Sequence, residues 1–141
     1  MSKQKTVSLE QEMATVESYL LIEKIRFDDR LQYSFNIDAN TKSTQIPPMM
    51  LQTLVENAVK HGISKLKTGG QVLINSVKKG NKVQIEILNS GRFEPNSSDP
   101  NSGLGLENTR ERLKLLFEDQ ASFEIKNLDL HFVIATIELP L

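Results

Sequence analysis

Apolar residues change their spacing several times along this chain, and each change marks an element. Leu9, Met13, Val16, Leu20 and Phe27 step along one helical face behind Ser8 and Gln11, a capping-box pair. This spacing predicts a helix over roughly 8–26. From Leu31 the period drops to two, placing Leu31, Tyr33, Phe35 and Ile37 on one side of a half-buried strand. A turn-rich connection, Asp38 to Ser43, leads to a second helical stripe of Leu51, Leu54, Val55 and Ala58. Pro47-Pro48 suits the first turn of that helix, where a missing N–H costs nothing, and Gly62 can end it. Strands follow at about 71–77 and 82–88, joined through Lys79-Gly80-Asn81 as a hairpin. Residues 89–103 hold a long run of turn formers, of the kind that in compact domains is either a binding lid or disordered. Leu106, Thr109, Leu113 and Leu116 carry a third helix, and strands at about 122–127 and 131–139 close the chain.

The order α-β-α-β-β-lid-α-β-β, with strands joined mainly as hairpins, predicts an α+β fold. We expect a two-layer α/β sandwich, its mixed, mostly antiparallel sheet covered by helices on one face. A length of 141 residues, 38% apolar and 25% charged, fits one domain spanning 1–141. The formal charge of -1 excludes a general basic field, so no nucleic-acid partner is expected. With no cysteine, disulfides, thiolate metal sites and a cysteine nucleophile are excluded. His61 and His131 are too few and too far apart for a zinc cluster. No apolar run reaches membrane-span length and Met1-Ser2-Lys3-Gln4-Lys5 lacks a signal-peptide core, so the expectation is a cytoplasmic domain.

Three polar clusters stand at element ends: Glu56-Asn57-Lys60-His61, Asn89-Ser90-Gly91 and Gly103-Leu104-Gly105. Asn57 and His61 are four apart and share one side of their helix. Glu56 and Lys60 have the same spacing, which also suits a plain surface ion pair. Gly103 and Gly105 before a helix can cradle phosphate on backbone N–H groups, although turn punctuation is the commoner explanation of a lone Gly-x-Gly. The glycines fit neither a P-loop nor a dinucleotide fingerprint.

In combination the clusters are more specific. Glu56-Asn57-Ala58-Val59-Lys60-His61-Gly62 resembles the N box of the GHKL ATPase superfamily. Asn89-Ser90-Gly91 stands where that superfamily has an Asp-x-Gly G1 box, and Gly103-Leu104-Gly105-Leu106-Glu107-Asn108 resembles its G2 box. Tyr19-Leu20 with Glu23, Arg26 and Phe27, then Ile46-Pro47-Pro48 with Leu51-Gln52, and Asn108 with Arg112-Leu113, resemble LytS-like sensor histidine kinases in their ATP-binding catalytic domain. The resemblance covers nearly the whole chain and implies a Bergerat-type ATP-binding fold with ATP and Mg²⁺ as cofactors. It implies that Asn57 ligates Mg²⁺, with Lys60 and His61 near the phosphates and Glu56 orienting a group at the γ-phosphate. Gly62, Asn89, Gly91, Gly103, Leu104, Gly105, Leu106 and Asn108 would complete the nucleotide site, with Asn89 accepting from the adenine amino group.

Two positions depart from the pattern. The G1 aspartate is Asn89, a neutral and therefore weaker acceptor, and the second G1 glycine is Phe93. Nor does an acceptor histidine precede Ser8. The resemblance therefore implies a fragment, itself monomeric, of a membrane-anchored kinase. Its partners would be the missing dimerisation and phosphoacceptor domain and a downstream response regulator. A second reading, favoured by Asn89 and Phe93, is a module of the same fold that acts through protein contacts.

Overall fold

The structure, a computed structural model, describes residues 6–63, 66–92 and 104–140, with side chains except at 29, 61, 104 and 105. The helices are α1 (Leu9–Phe27), α2 (Met50–His61) and α3 (Leu104–Phe117). The strands are β1 (Val7–Ser8), β2 (Leu31–Ile37), β3 (Gln45–Ile46), β4 (Gly70–Lys79), β5 (Lys82–Ser90), β6 (Ser122–Asn127) and β7 (Phe132–Pro140). The main sheet has the order β2-β4-β5-β7-β6 and is antiparallel except where β2 runs parallel to β4. Parallel neighbours need a crossover, and the segment carrying α2 supplies it. The predicted α+β sandwich is the observed one, with α1 on the β2 side, α2 over central β5 and α3 against β6.

Period-two alternation decides which strand residues meet the helices. Val83, Ile85 and Ile87 of β5, Val72 and Ile74 of β4, and Ile137 and Leu139 of β7 are all buried. From the helices come Leu9, Val16 and Leu20 of α1, Leu51, Leu54 and Val55 of α2, and Leu106 and Leu113 of α3. Full burial of each large aliphatic side chain contributes about 1.5–3 kcal/mol, so this single cluster holds the two layers together.

Helix α1 starts as the capping box predicts: Gln11 N donates to Ser8 Oγ at 3.1 Å, and Ser8 N to Gln11 Oε1 at 3.0 Å. Helix α2 starts differently from expectation. The two prolines precede it, and the residue before its first turn is Met49, held in the left-handed region at φ 67°. Its cap comes from another helix. Glu12 of α1, 4% exposed, accepts from Met49 N at 3.1 Å, Leu51 N at 3.1 Å and Gln52 N at 3.3 Å. A carboxylate suits the positive end of a helix dipole, and it satisfies N–H groups that a first turn leaves without partners. The two-residue strands β1 and β3 pair antiparallel, Val7 with Ile46 and Ser8 with Gln45, and tie the start of α1 to the approach of α2. Val7, which lies ahead of the first helix that periodicity predicts, is thus in a strand, while residues 1–5 lie outside the described residues.

Candidate functional site

The alternation that buries Val83, Ile85 and Ile87 of β5 brings Asn89 onto the same helix-covered face. Asn89 is 7% exposed, a polar group at the end of an apolar row. Its amide Nδ2 donates to the Ser90 carbonyl at 2.9 Å, which leaves Oδ1 as the acceptor end. The amide lies directly against the end of α2. A Cβ added to Gly62 would stand 2.5 Å from Asn89 Nδ2, 2.6 Å from the Ala58 carbonyl oxygen and 2.9 Å from that of Ser90. Gly62 is therefore a close-approach glycine, and its φ of −113° shows that backbone freedom is not the reason for it. Gly91 does need that freedom, at φ 126°, and a Cβ there would come within 3.0 Å of Gly62 Cα. The first two sequence clusters thus meet as one structural unit, backbone against backbone.

Asn57 sits one turn before this junction, and its Nδ2 is buried with no hydrogen-bond partner among the described residues. Burying an amide donor without a partner costs about 1–3 kcal/mol, so such a group makes Asn57 a candidate for a ligand contact. Glu56 is half-buried and accepts from Gln52 Nε2 at 3.1 Å. Lys60 is exposed. His61 ends α2, and its side chain lies outside the described residues, as do Gly103 and Phe93 altogether. Leu104 and Gly105 open α3, with their backbone alone described. Leu106 is packed in the core at 6% exposure, and Asn108 is exposed. Among the described residues, then, the structure brings together Asn57, Gly62, Asn89 and Gly91.

Helical and strand periodicity did not reveal three further contributors. Glu12 caps α2 from α1, as described above. From α3, Arg112 donates through Nη2 to the Pro48 carbonyl, tying the third helix to the approach of α2. From α1, Tyr19 buries its hydroxyl beside the Glu23 carboxylate. Burial pushes the Tyr19 hydroxyl well above the ordinary tyrosine range; Glu23, by its charge and as an acceptor, and then the charge of Glu56 add to this, and Arg26 opposes it. A legible signal did exist for Glu12 and Glu23: both are charges on the apolar face of α1, and both are buried.

The donor set suits a phosphate-bound hard cation and a purine. The Asn57 amide offers an oxygen to Mg²⁺ or, turned by half a rotation, its nitrogen to a phosphate oxygen. Asn89 Oδ1 offers an acceptor within the same junction, and Gly62 and Gly91 keep Cβ atoms out of it.

No protein-family model matches the chain. The sensor histidine kinase BtsS of Escherichia coli K12 is 36% identical over 135 residues, covering 95% of this chain and 24% of BtsS. The sensor protein LytS of Enterococcus faecalis is 29% identical over 149 residues, covering 98% of this chain and 25% of LytS. The chain therefore spans about a quarter of the length of these relatives. Among solved structures, the catalytic domain of histidine kinase ThkA superposes with a TM-score of 0.71 at 18% identity, covering 96% of this chain and 95% of that domain. Matching sequence across nearly its whole length, and having the fold of a histidine kinase catalytic domain, the chain belongs to the LytS- and BtsS-like sensor histidine kinases.

Proposed function

We propose that this chain binds Mg·ATP at the junction of α2 and β5 and delivers the γ-phosphoryl group to a histidine on a separate dimerisation and phosphoacceptor domain. The observation that carries this reading is the meeting of Gly62 and Gly91 beside Asn89, with the Asn57 amide nitrogen, without a hydrogen-bond partner among the described residues, one turn away. Asn57 holds the cation, Asn89 Oδ1 accepts from the adenine amino group, and Lys60 and His61 offset phosphate charge. Gly62 and Gly91 keep the junction open to the nucleotide, while Gly103, Leu104, Gly105, Leu106 and Asn108 complete its far wall. When bound, Mg²⁺ neutralises phosphate charge and makes the leaving ADP a better leaving group.

In the transfer, an imidazole nitrogen of the acceptor forms the new P–N bond as the β,γ-bridging P–O bond breaks. The protein's part is positioning and charge stabilisation, with the Glu56 carboxylate orienting the incoming acceptor. The phosphoryl group then passes to a response regulator. We further propose that the chain is a monomeric, cytoplasmic part of a longer sensor; among the described residues no helix is long and apolar enough to cross a membrane.

The test is calorimetric titration of the chain with ATP, with and without Mg²⁺. Asn57→Ala should remain folded, because its helix keeps Leu54, Val55 and Ala58 buried, yet lose most of the magnesium enhancement. An unchanged Mg·ATP affinity in that folded variant removes Asn57 from the site. Acid-labile phosphate should appear on an added acceptor domain and not on His61 or His131.

A further inference from the structure

Helix α1 has two faces of opposite fate. Leu9, Glu12, Val16, Leu20 and Glu23 turn toward β2 and α2 and are buried. On the opposite side Ala14, Ser18, Leu21 and Ile25 step by four, three and four residues, the spacing of a helix–helix seam, and all four are exposed. Leu21 is 53% exposed and Ile25 79%, with Ile22 beside the seam at 63%. The proposed nucleotide site uses none of them. Single apolar residues on a surface need no explanation, but three large ones sharing one solvent-facing side of a helix form an interaction patch.

Size and charge along the seam select its occupant. Ala14 and Ser18 are small, whereas Leu21 and Ile25 are large. Two parallel copies of α1 would set large on large and leave gaps between the small pairs. Two antiparallel copies set Leu21 of one on Ser18 of the other, and Ile25 on Ala14, so each layer pairs a large residue with a small one. Charge makes the same choice. Glu17 and Lys24 flank the seam on one side, one heptad apart. In antiparallel copies Glu17 of each lies beside Lys24 of the other, giving two opposite-charge pairs. Parallel copies would instead set Glu17 against Ile22 and Lys24 beyond the end of the helix. Lys24 Nζ donates to the Leu31 carbonyl at 2.7 Å and keeps two N–H groups for a carboxylate. The other flank, Gln11, Thr15 and Ile22, is uncharged, so nothing there opposes the approach.

We infer that the outer face of α1 is a self-association surface, on which a second copy of this chain packs antiparallel through Ser18, Leu21 and Ile25, with Glu17 against Lys24. A four-position seam from one helix buries less than the roughly 800 Å² per partner of a stable complex. The chain alone therefore stays monomeric at micromolar concentration and pairs with a dissociation constant on the order of 0.1–1 mM. Where a dimerisation domain tethers two copies, the effective concentration reaches about that range and the contact forms. That tethered role rests on the functional proposal; the pairing itself needs no nucleotide.

Sedimentation velocity on the whole chain, from about 10 μM to about 1 mM, should show the average mass rising toward that of a dimer. Ile25→Glu leaves the buried face of α1 intact and should weaken the association at least about tenfold. Glu17→Lys, which sets like charges together in both symmetric pairs, should weaken it about fivefold. Melting should stay parental in both variants. The chain has no cysteine, so introduced thiols are the only ones present. Mixed under oxidation at the highest concentration, Ser18→Cys and Leu21→Cys chains should cross-link to each other in preference to themselves, and parallel copies would give the reverse. A chain that stays monomeric throughout, an association that Ile25→Glu leaves intact, or a preference for like cross-links overturns the inference. Shielding of Leu21 and Ile25 by an added acceptor domain, without self-association, overturns it too and gives the face to that domain. Loss of nucleotide binding in the parent chain would sink the functional proposal alone, since the pairing is measured without nucleotide.

Discussion

Replacing Gly62 with alanine tests whether the meeting of α2 with β5 makes the site. The new Cβ would enter at 2.5 Å from Asn89 Nδ2, 2.6 Å from the Ala58 oxygen and 2.9 Å from the Ser90 oxygen. Carbon ordinarily approaches such atoms no closer than about 3.4 Å, so each neighbour would have to yield by roughly half an ångström or more. The Asn89 amide can swing aside, but the other two atoms are backbone carbonyl oxygens and cannot. The end of α2 and the end of β5 must therefore separate, and Asn89 must release the Ser90 carbonyl it holds at 2.9 Å. Overpacking of this kind costs about 1–3 kcal/mol, and a lost side-chain hydrogen bond about 1 more. A total near 3 kcal/mol lowers the melting temperature of a domain of this size by roughly 10 °C.

Nucleotide binding should suffer more than stability, because the separated elements carry the proposed purine acceptor and the proposed cation ligand. Affinity for Mg·ATP should fall at least tenfold in calorimetry at a temperature where the variant is fully folded. Gly80→Ala is the control. Gly80 has φ 60° with nothing within 4 Å of a new Cβ, so alanine there costs only the left-handed backbone strain, about 1 kcal/mol. It should leave nucleotide affinity alone. A Gly62→Ala protein with parental melting and parental affinity would refute the close-approach argument.

Three other outcomes are expected. Glu12→Ala strips the α2 start of an acceptor for three N–H groups, and urea unfolding should show a loss of about 2–3 kcal/mol, with Glu12→Gln intermediate. Asn89→Asp replaces the Nδ2 that donates to Ser90 with an oxygen that repels it, so melting should fall by about 1–2 kcal/mol, while competition binding shows a wider preference for adenine over guanine nucleotides. Asp38 accepts from Asn40 N and Lys78 N, and these backbone donors hold its carboxyl below the usual carboxylate range. Its contribution is present above the ordinary carboxylate pKa and is lost as pH falls through the lowered one, so Asp38→Asn should flatten the acid limb of stability in pH-dependent denaturation.

How much of this was legible in the sequence depends on what periodicity encodes. It reports which side of an element faces apolar matter, so α1, α2, α3 and the five strands of the main sheet were readable from the spacing of their apolar residues. It treats every charge as a vote for solvent, and that hid Glu12 and Glu23. Both are buried on the apolar face of α1, because each carboxylate has partners: three backbone N–H groups about forty residues away for Glu12, which spacing cannot show, and Arg26, one turn on, for Glu23. Strands β1 and β3 are two residues long and have no period to detect. Gly62 and Gly91 could be read as punctuation, but their packing against each other belongs to tertiary structure, since 29 positions separate them. The site itself was visible for the opposite reason. Along β5 the alternation Val83, Ile85, Ile87 makes position 89 an apolar one, and an asparagine stands there, 7% exposed. On α2, Asn57 stands outside the apolar stripe, yet its amide nitrogen is buried with no hydrogen-bond partner among the described residues. Each of the two amides costs the apo fold something in polar burial. Two buried amides near one glycine junction are what the proposed nucleotide site would use, and that local cost is why the proposal centres on the end of α2.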